Sequence, residues 1–516
     1  MTGADALVKT LLAFDVTVCF ANPGTSEMHF VAALDRYREM RCILSLFEGG
    51  VTGAADGYYR MRNQIAATLL HLGPGLGNGW ANLHNASKAR SGVLNIVGDH
   101  ATWHVHHPSP LNSDLLTLAE SVSDWVCRCQ DPESVVFECR NGIEAARRRP
   151  GHVATLILPA DAAWGELKKM PLMPPAPPKP PAVPAQSALK TAAMRLKSGQ
   201  EAALYVGDRA LYPGTLELAA QIAAKTGCRL IGPFRSGRIP RGAGRVPLQR
   251  LTPSVAINQK ILTGISQFVL VGTIPPAAFF AYPNLPSFPF EEGAEVQILA
   301  PDTFDLHSTL ERLAAELNAL TLSIKLTPLN LPALPKGPFT KEAIGEIIGA
   351  LMPEEAIVVD ESITSGRSFG KSTFQSQPHD WLQNTGGAIG QGLPNAVGAA
   401  VACPNRKVIC LMGDGAAMYT VQSLWTMARE KLSVLIVIFA NKGYQVLRQE
   451  LKKVGVETIG RNAVNMLEVD HPALDWVQMA GAHGVEAARA SSLETFIDLY
   501  QHGLKTQGPF LIEAQL

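Results

Sequence analysis

Asp414 and Asn441 are the residues whose types and spacing point most directly to chemistry. Asp414 lies in Gly413-Asp414-Gly415, at the end of the apolar run 408–412. Asn441 follows a second apolar run, 434–440. Each run reads as a buried strand. Between them Val421, Leu424, Trp425 and Ala428 recur at helical spacing. A strand–helix–strand unit of this kind makes the two strands parallel neighbours. Asp414 and Asn441 then emerge side by side at the carboxyl edge of a sheet, where open α/β sheets bind ligands. A carboxylate, an amide oxygen and a backbone carbonyl suit a hard octahedral cation such as Mg²⁺, with phosphate oxygens completing its shell. A Gly-Asp-Gly triplet alone would be only a tight strand-to-helix turn. The spaced Asn and the apolar strands are what turn it into a candidate site.

Other segments place polar groups at strand ends. Glu48 opens the small-residue stretch 49–57. Its carboxylate could cap a helix N-terminus or, among apolar neighbours, do acid–base work. Asn22-Pro23-Gly24-Thr25 is a turn signal after a strand. His71 closes the apolar run 66–70 and precedes Gly73-Pro74-Gly75-Leu76-Gly77-Asn78-Gly79, which matches no phosphate-loop pattern. Gly387 and Ile389 lie in a third glycine cluster. His100, His104, His106 and His107 form a His-rich stretch. No C-x-x-C or H-E-x-x-H accompanies them, so a solvated loop accounts for them better than zinc does.

These residues need a scaffold, and the chain supplies an α/β one. With 516 residues it is too long for one domain. Pro-rich stretches at 169–188 and 327–338 read as extended connectors. They divide the chain into 1–168, 189–326 and 339–516. Each block alternates apolar strands with helical segments, which predicts three doubly wound parallel-sheet domains. Formal net charge is +0, so no cationic excess exists for general polyanion binding. No apolar run approaches the ~18 residues of a membrane span. The N-terminus lacks a basic n-region and an apolar h-region. The 8 Cys are scattered and read as reduced core thiols of a cytoplasmic protein.

The Gly413-Asp414-Gly415…Asn441 pairing resembles the cofactor fingerprint of thiamine diphosphate-dependent enzymes. The resemblance implies Mg²⁺ on Asp414, Asn441 and the Gly443 carbonyl, with Gly413, Gly415 and Thr364 near the diphosphate. Lys442 departs from a second Asn found in many relatives, at a position not expected to ligate. Glu48 through Tyr58 resembles the catalytic-glutamate segment, where the carboxylate contacts the aminopyrimidine ring. The Gly387 carbonyl would accept from the ring's amino group, and Ile389 would wedge beneath the cofactor. Thr25 and His71 match substrate-facing positions of benzoylformate decarboxylase. The implied activity is decarboxylation of a 2-oxo acid, with release of an aldehyde or ligation to a second carbonyl. A homodimer or homotetramer with sites between subunits is implied too. Two alternatives remain open. In a FAD-containing acetolactate synthase or oxidase, Arg235, Arg238, Arg241 and Arg245 would hold the nucleotide, though solvated surface is the simpler reading of them. A non-catalytic scaffold would have no need of Glu48, Asp414 and Asn441 together.

Overall fold

The computed structural model describes residues 1–168 and 180–516. Most of the first Pro-rich connector, 169–179, lies outside the described residues. Three sheets organise the chain. The first is six-stranded, in the order Arg41–Leu44, Val18–Ala21, Ala66–Leu70, Val93–Asp99, Val153–Pro159, Trp125–Arg128, and wholly parallel. The second is five-stranded and parallel, in the order Gln249–Arg250, Arg229–Gly232, Ala202–Val206, Gln267–Val271, Glu295–Ala300. The third is seven-stranded. It runs Glu486–Ala490, Phe510–Gln515, Val434–Ala440, Val408–Gly413, Ala356–Glu361, His379–Gln383, Ile239–Arg241. Its strands are parallel except the last, which is antiparallel. Helices cover both faces, so the inner strands are apolar on both sides. Every residue of Val434–Ala440 is buried.

The antiparallel edge strand departs from a purely parallel expectation. Ile239–Arg241 comes from the middle block yet pairs with His379–Gln383. The arginines beside it follow. Arg238 makes a two-pronged pair with Asp380, at 2.7 and 3.0 Å. Arg241 lies over the Trp381 ring, and Arg245 reaches Glu355 at 3.4 Å. The expectation that this run is solvated surface is therefore wrong: these side chains fasten the middle block to the third sheet. The second connector lacks regular structure and is tied down by Thr327 N–H to Arg245 and Asn330 N–H to Gln375.

Helix Gly392–Ala402, buried throughout, crosses helix Glu48–Arg62 at backbone contact. A β-carbon on Gly398 would stand 1.9 Å from the Ala54 carbonyl oxygen. One on Gly57 would stand 2.2 Å from that of Asn395. Only glycine permits this approach. The crossing sets the first sheet against the third.

Candidate active site

The strand–helix–strand unit forms as its pattern requires. Val408–Gly413 and Val434–Ala440 are parallel neighbours, with Gly413 opposite Phe439. Asp414 and Asn441 thus leave adjacent strand ends. The chain turns through Lys442 at φ 56°, and its N–H donates to Asp414 Oδ2 at 2.7 Å. Asn441 Oδ1 accepts from the Gly443 N–H at 3.2 Å. Asp414 is only 5% exposed and has no cationic partner among the described residues. Burial pushes its carboxyl up from the ordinary carboxylate range, against backbone donors that pull it down. A buried carboxylate short of positive charge, an amide oxygen and a carbonyl fit a Mg²⁺ that brings phosphate oxygens with it. No group of 3 or more His, Cys, Asp or Glu among the described residues could hold a metal alone.

Thr364 is buried in the turn after Ala356–Glu361, on the neighbouring strand. From sequence, Glu361 stands only in the segment 361–365 that the resemblance sets near the diphosphate, with no role of its own. This carboxylate accepts from Gly390 N–H at 3.0 Å, Gly392 N–H at 2.8 Å and Asn384 Nδ2 at 2.9 Å. It therefore shapes the loop bearing Gly387 and Ile389. From the other side the loop is held by helix Leu72–Lys88. Asn85 Nδ2 donates to the Ala388 carbonyl at 2.8 Å, and His84 contacts that of Gly386 at 3.2 Å. Gly387 sits at φ 84°, a left-handed conformation that favours glycine. Its N–H donates to Asn384 Oδ1 at 2.7 Å. Ile389 packs on the main core.

Burial raises the Glu361 carboxyl to about 7 from an ordinary 4.5, despite its donors. A raised native value favours the protonated fold. Its stabilisation is full below the unfolded value and is lost as pH rises through about 7. From about pH 5 to pH 8, wild-type unfolding free energy should fall roughly 2–3 kcal/mol more than that of Glu361→Gln. Denaturant titrations of both proteins across that range check this.

Glu48 begins helix Glu48–Arg62 and is 7% exposed. Its side chain does not cap the helix. Instead its Oε2 accepts from Asn78 Nδ2 at 3.0 Å. His71 immediately precedes helix Leu72–Lys88. A β-carbon on Gly75 would stand 3.2 Å from Glu48 Oε1 and 3.3 Å from His71 Cβ. The two side chains thus flank one point of the glycine-rich first turns of helix Leu72–Lys88, a stretch that folds as helix and not as a loop.

His71 also draws in the Asn22-Pro23-Gly24 turn. Its Nδ1 lies 2.9 Å from Glu27 Oε2 and 3.2 Å from Ser26 Oγ. Glu27 is buried and further accepts from Gly24 N–H at 2.8 Å. Thr25, exposed, begins the short turn Thr25–Glu27. Glu27 was not singled out from sequence. Its position three residues past Gly24 carried a signal, because such a residue closes back on the turn's first N–H. The His stretch behaves as a loop: Trp103 is exposed, and the rings of His100, His104 and His107 neighbour one another without a metal-type cluster among the described residues.

Among the described residues no hydrogen bond links the Glu48 cluster to the Asp414 cluster. The glycine loop 384–392 is held from both halves, by Asn85 and by Glu361. A separate strap crosses nearby, where Tyr282 of the middle block donates to Glu450 Oε2 at 2.6 Å.

Comparison with known proteins adds the same division. Residues 1–118 match the model of the thiamine pyrophosphate enzyme N-terminal TPP binding domain. Residues 368–514 match that of the C-terminal TPP binding domain. A Mycobacterium tuberculosis protein, IlvX, named as an acetolactate synthase large subunit, is 44% identical over 515 residues, covering 100% of this chain and 99% of its own. Benzoylformate decarboxylase of Pseudomonas aeruginosa is 27% identical over 537 residues, covering 99% and 98%. The solved thiamine diphosphate-dependent 4-hydroxybenzoylformate decarboxylase of Rhodococcus jostii superposes with a TM-score of 0.85 at 24% identity, over 99% of this chain and 98% of that one, and so shares the fold. Among the described residues no helix is long and apolar enough to cross a membrane. With its two cofactor-binding domains matched and a full-length relative at this identity, the chain belongs to the thiamine pyrophosphate (thiamine diphosphate) enzyme family.

Proposed function

We propose that the protein decarboxylates a 2-oxo acid with thiamine diphosphate and Mg²⁺, and releases an aldehyde or a ligated 2-hydroxy ketone. The observation that carries this reading is the placement of Glu48 and His71 on either side of Gly75. It sets two proton-handling groups together on the matched N-terminal TPP binding domain.

Thiamine diphosphate, when bound, supplies the electron sink for loss of CO₂. Asp414, Asn441 and the Gly443 carbonyl would hold Mg²⁺, and Gly413, Gly415 and Thr364 would bind the diphosphate. The Gly387 carbonyl accepts no hydrogen bond among the described residues and is free to take the amino group. Ile389, packed on the main core, would support the cofactor's rings. Glu48 holds a proton at a ring nitrogen and returns it. Glu27, on His71 Nδ1, favours the tautomer with its proton there, which leaves Nε2 to exchange protons with substrate. Thr25 supplies a hydroxyl for the substrate carboxylate. The site forms between two subunits of a homodimer or homotetramer, so that the Glu48 of one chain meets the Asp414 of another.

A panel of 2-oxo acids (pyruvate, branched-chain acids, phenylglyoxylate), assayed for CO₂, aldehyde and hydroxy ketone, tests the reaction. Absence of CO₂ release from every member sinks it. At the metal end, Asp414→Asn keeps the shape but halves the charge-bearing oxygens. The Mg²⁺ concentration for half-maximal activity should rise at least ~10–100-fold. An unchanged Mg²⁺ titration would remove Asp414 from the site.

A further inference from the structure

Arg235 stands at the glycine loop with no part in the mechanism above. Its guanidinium carbon lies 4.7 Å from the Phe279 ring centroid and 5.3 Å from that of Phe234. A β-carbon on Gly387 would stand 3.4 Å from Arg235 Nη1 and 3.2 Å from the Phe279 ring. The cation therefore faces the turn that cradles the cofactor. Nη1 is buried and has no hydrogen-bond partner, and the side chain forms no ion pair among the described residues. Its neighbours Arg238 and Arg245 both pair with carboxylates.

Arginine stays charged under all ordinary conditions. A buried charged donor without an acceptor is among the costlier arrangements a fold can hold. Two aromatic rings steady the cation by their own faces, and the unpartnered Nη1 remains to donate to a planar anion. We propose that Arg235, clamped by Phe234 and Phe279, binds a substrate carboxylate that survives the reaction. That carboxylate is the far one of a dicarboxylic 2-oxo acid or the one on an acceptor 2-oxo acid.

Survival is the deciding point. The carboxylate that leaves as CO₂ loses its charge on the way to the transition state. A fixed cation beside it would stabilise the ground state more than the transition state and slow the step. A carboxylate that keeps its charge suffers no such penalty, and a cation there lowers the energy of every state alike. The assignment rests on the proposed role of the Gly387 loop.

The test uses the full-length protein with thiamine diphosphate and Mg²⁺, and two variants. Arg235→Met fills the space between the rings without charge. Arg235→Lys keeps the charge but loses the planar fork. Three quantities are read. One is kcat/KM for 2-oxoglutarate relative to 2-oxobutanoate. Another is the ratio of ligated acid to aldehyde formed from 2-oxobutanoate alone. The third is the affinity for the unreactive acids glutarate and propionate by titration calorimetry.

Arg235→Met should lower one of the two ratios, and weaken one of the two acids, by ~10–100-fold, with a smaller effect in Arg235→Lys. A fall in the first ratio identifies a far carboxylate; a fall in the second identifies an acceptor. An equal loss of every rate, or acid affinities indifferent to Arg235, overturns the proposal. If wild type releases no CO₂ from any 2-oxo acid but binds glutarate or propionate through Arg235, the reaction reading fails while the anion site stands.

Discussion

Glu48→Gln should lower 2-oxo acid turnover by ~10²–10⁴-fold while the protein stays folded. The change is isosteric, and an amide oxygen can still accept from Asn78 Nδ2. It removes only the exchangeable proton of a group that is 7% exposed and opens a buried helix. Affinity for thiamine diphosphate should change little, since the residues proposed for the diphosphate, Asp414 and Asn441, lie in the other matched domain. Activity and cofactor titration measured together therefore separate a proton-handling role from a binding one. A drop in affinity with full kcat at saturation would assign Glu48 to binding.

The same variant tests where the site is assembled. If Glu48 of one subunit serves Asp414 of its partner, mixed dimers of Glu48→Gln and Asp414→Asn chains hold one intact site and one doubly altered site. Unfolding and refolding the two together should return up to about a quarter of wild-type activity by random pairing, because half the dimers are mixed and each keeps one site. If both groups came from one chain, no mixed dimer would hold an intact site, and activity would stay at the level of the separate variants.

How much of this was legible follows from where each residue finds its partners. Central parallel strands are buried on both faces and so read as continuous apolar runs. Val408–Gly413, Val434–Ala440 and Ala66–Leu70 were readable for that reason, and with them the ends that carry Asp414, Asn441 and His71. Trp125–Arg128 and Glu486–Ala490 are edge strands, half-exposed and charged, and only their neighbours in space make them strands. His379–Gln383 went unread because its polar groups find partners elsewhere in the chain: Asp380 accepts from Arg238, and Trp381 Nε1 donates to Asp360. Glu361 shares with Asp414 and Glu48 a place at or just beyond a strand's carboxyl end, which was a usable signal. Its role depends on a loop formed by 384–392, and no local pattern announces that. The arginine run misled because its partners, Asp380 and Glu355, lie far along the chain.

Asp56→Asn should be the most destabilising of the conservative changes near the site, at about 3–5 kcal/mol. Asp56 is fully buried and Arg60 is 4% exposed. The carboxylate accepts from Arg60 Nε at 2.8 Å and Nη2 at 2.6 Å, and from Ser91 Oγ at 2.5 Å. Across the helix crossing it also accepts from Gln391 Nε2 at 2.8 Å and Asn395 Nδ2 at 3.3 Å. An amide replaces one acceptor by a donor that faces donors and leaves the guanidinium without a counter-charge. The remaining Arg60 contacts, to the Gly237 and Gln383 carbonyls and to Thr385, cannot neutralise it. Pairing Asp56→Leu with Arg60→Met should recover part of the loss, because it removes the stranded charge while Ser91, Gln391 and Asn395 still lose an acceptor. A double-mutant cycle on denaturant midpoints measures that coupling. If the double variant is as unstable as the sum of its parts, the two side chains act independently and the network reading is wrong. Gln391 also adjoins the loop of Gly387 and Ile389, so the single variant should bind thiamine diphosphate more weakly. Added cofactor should then raise its midpoint by less than it raises that of wild type.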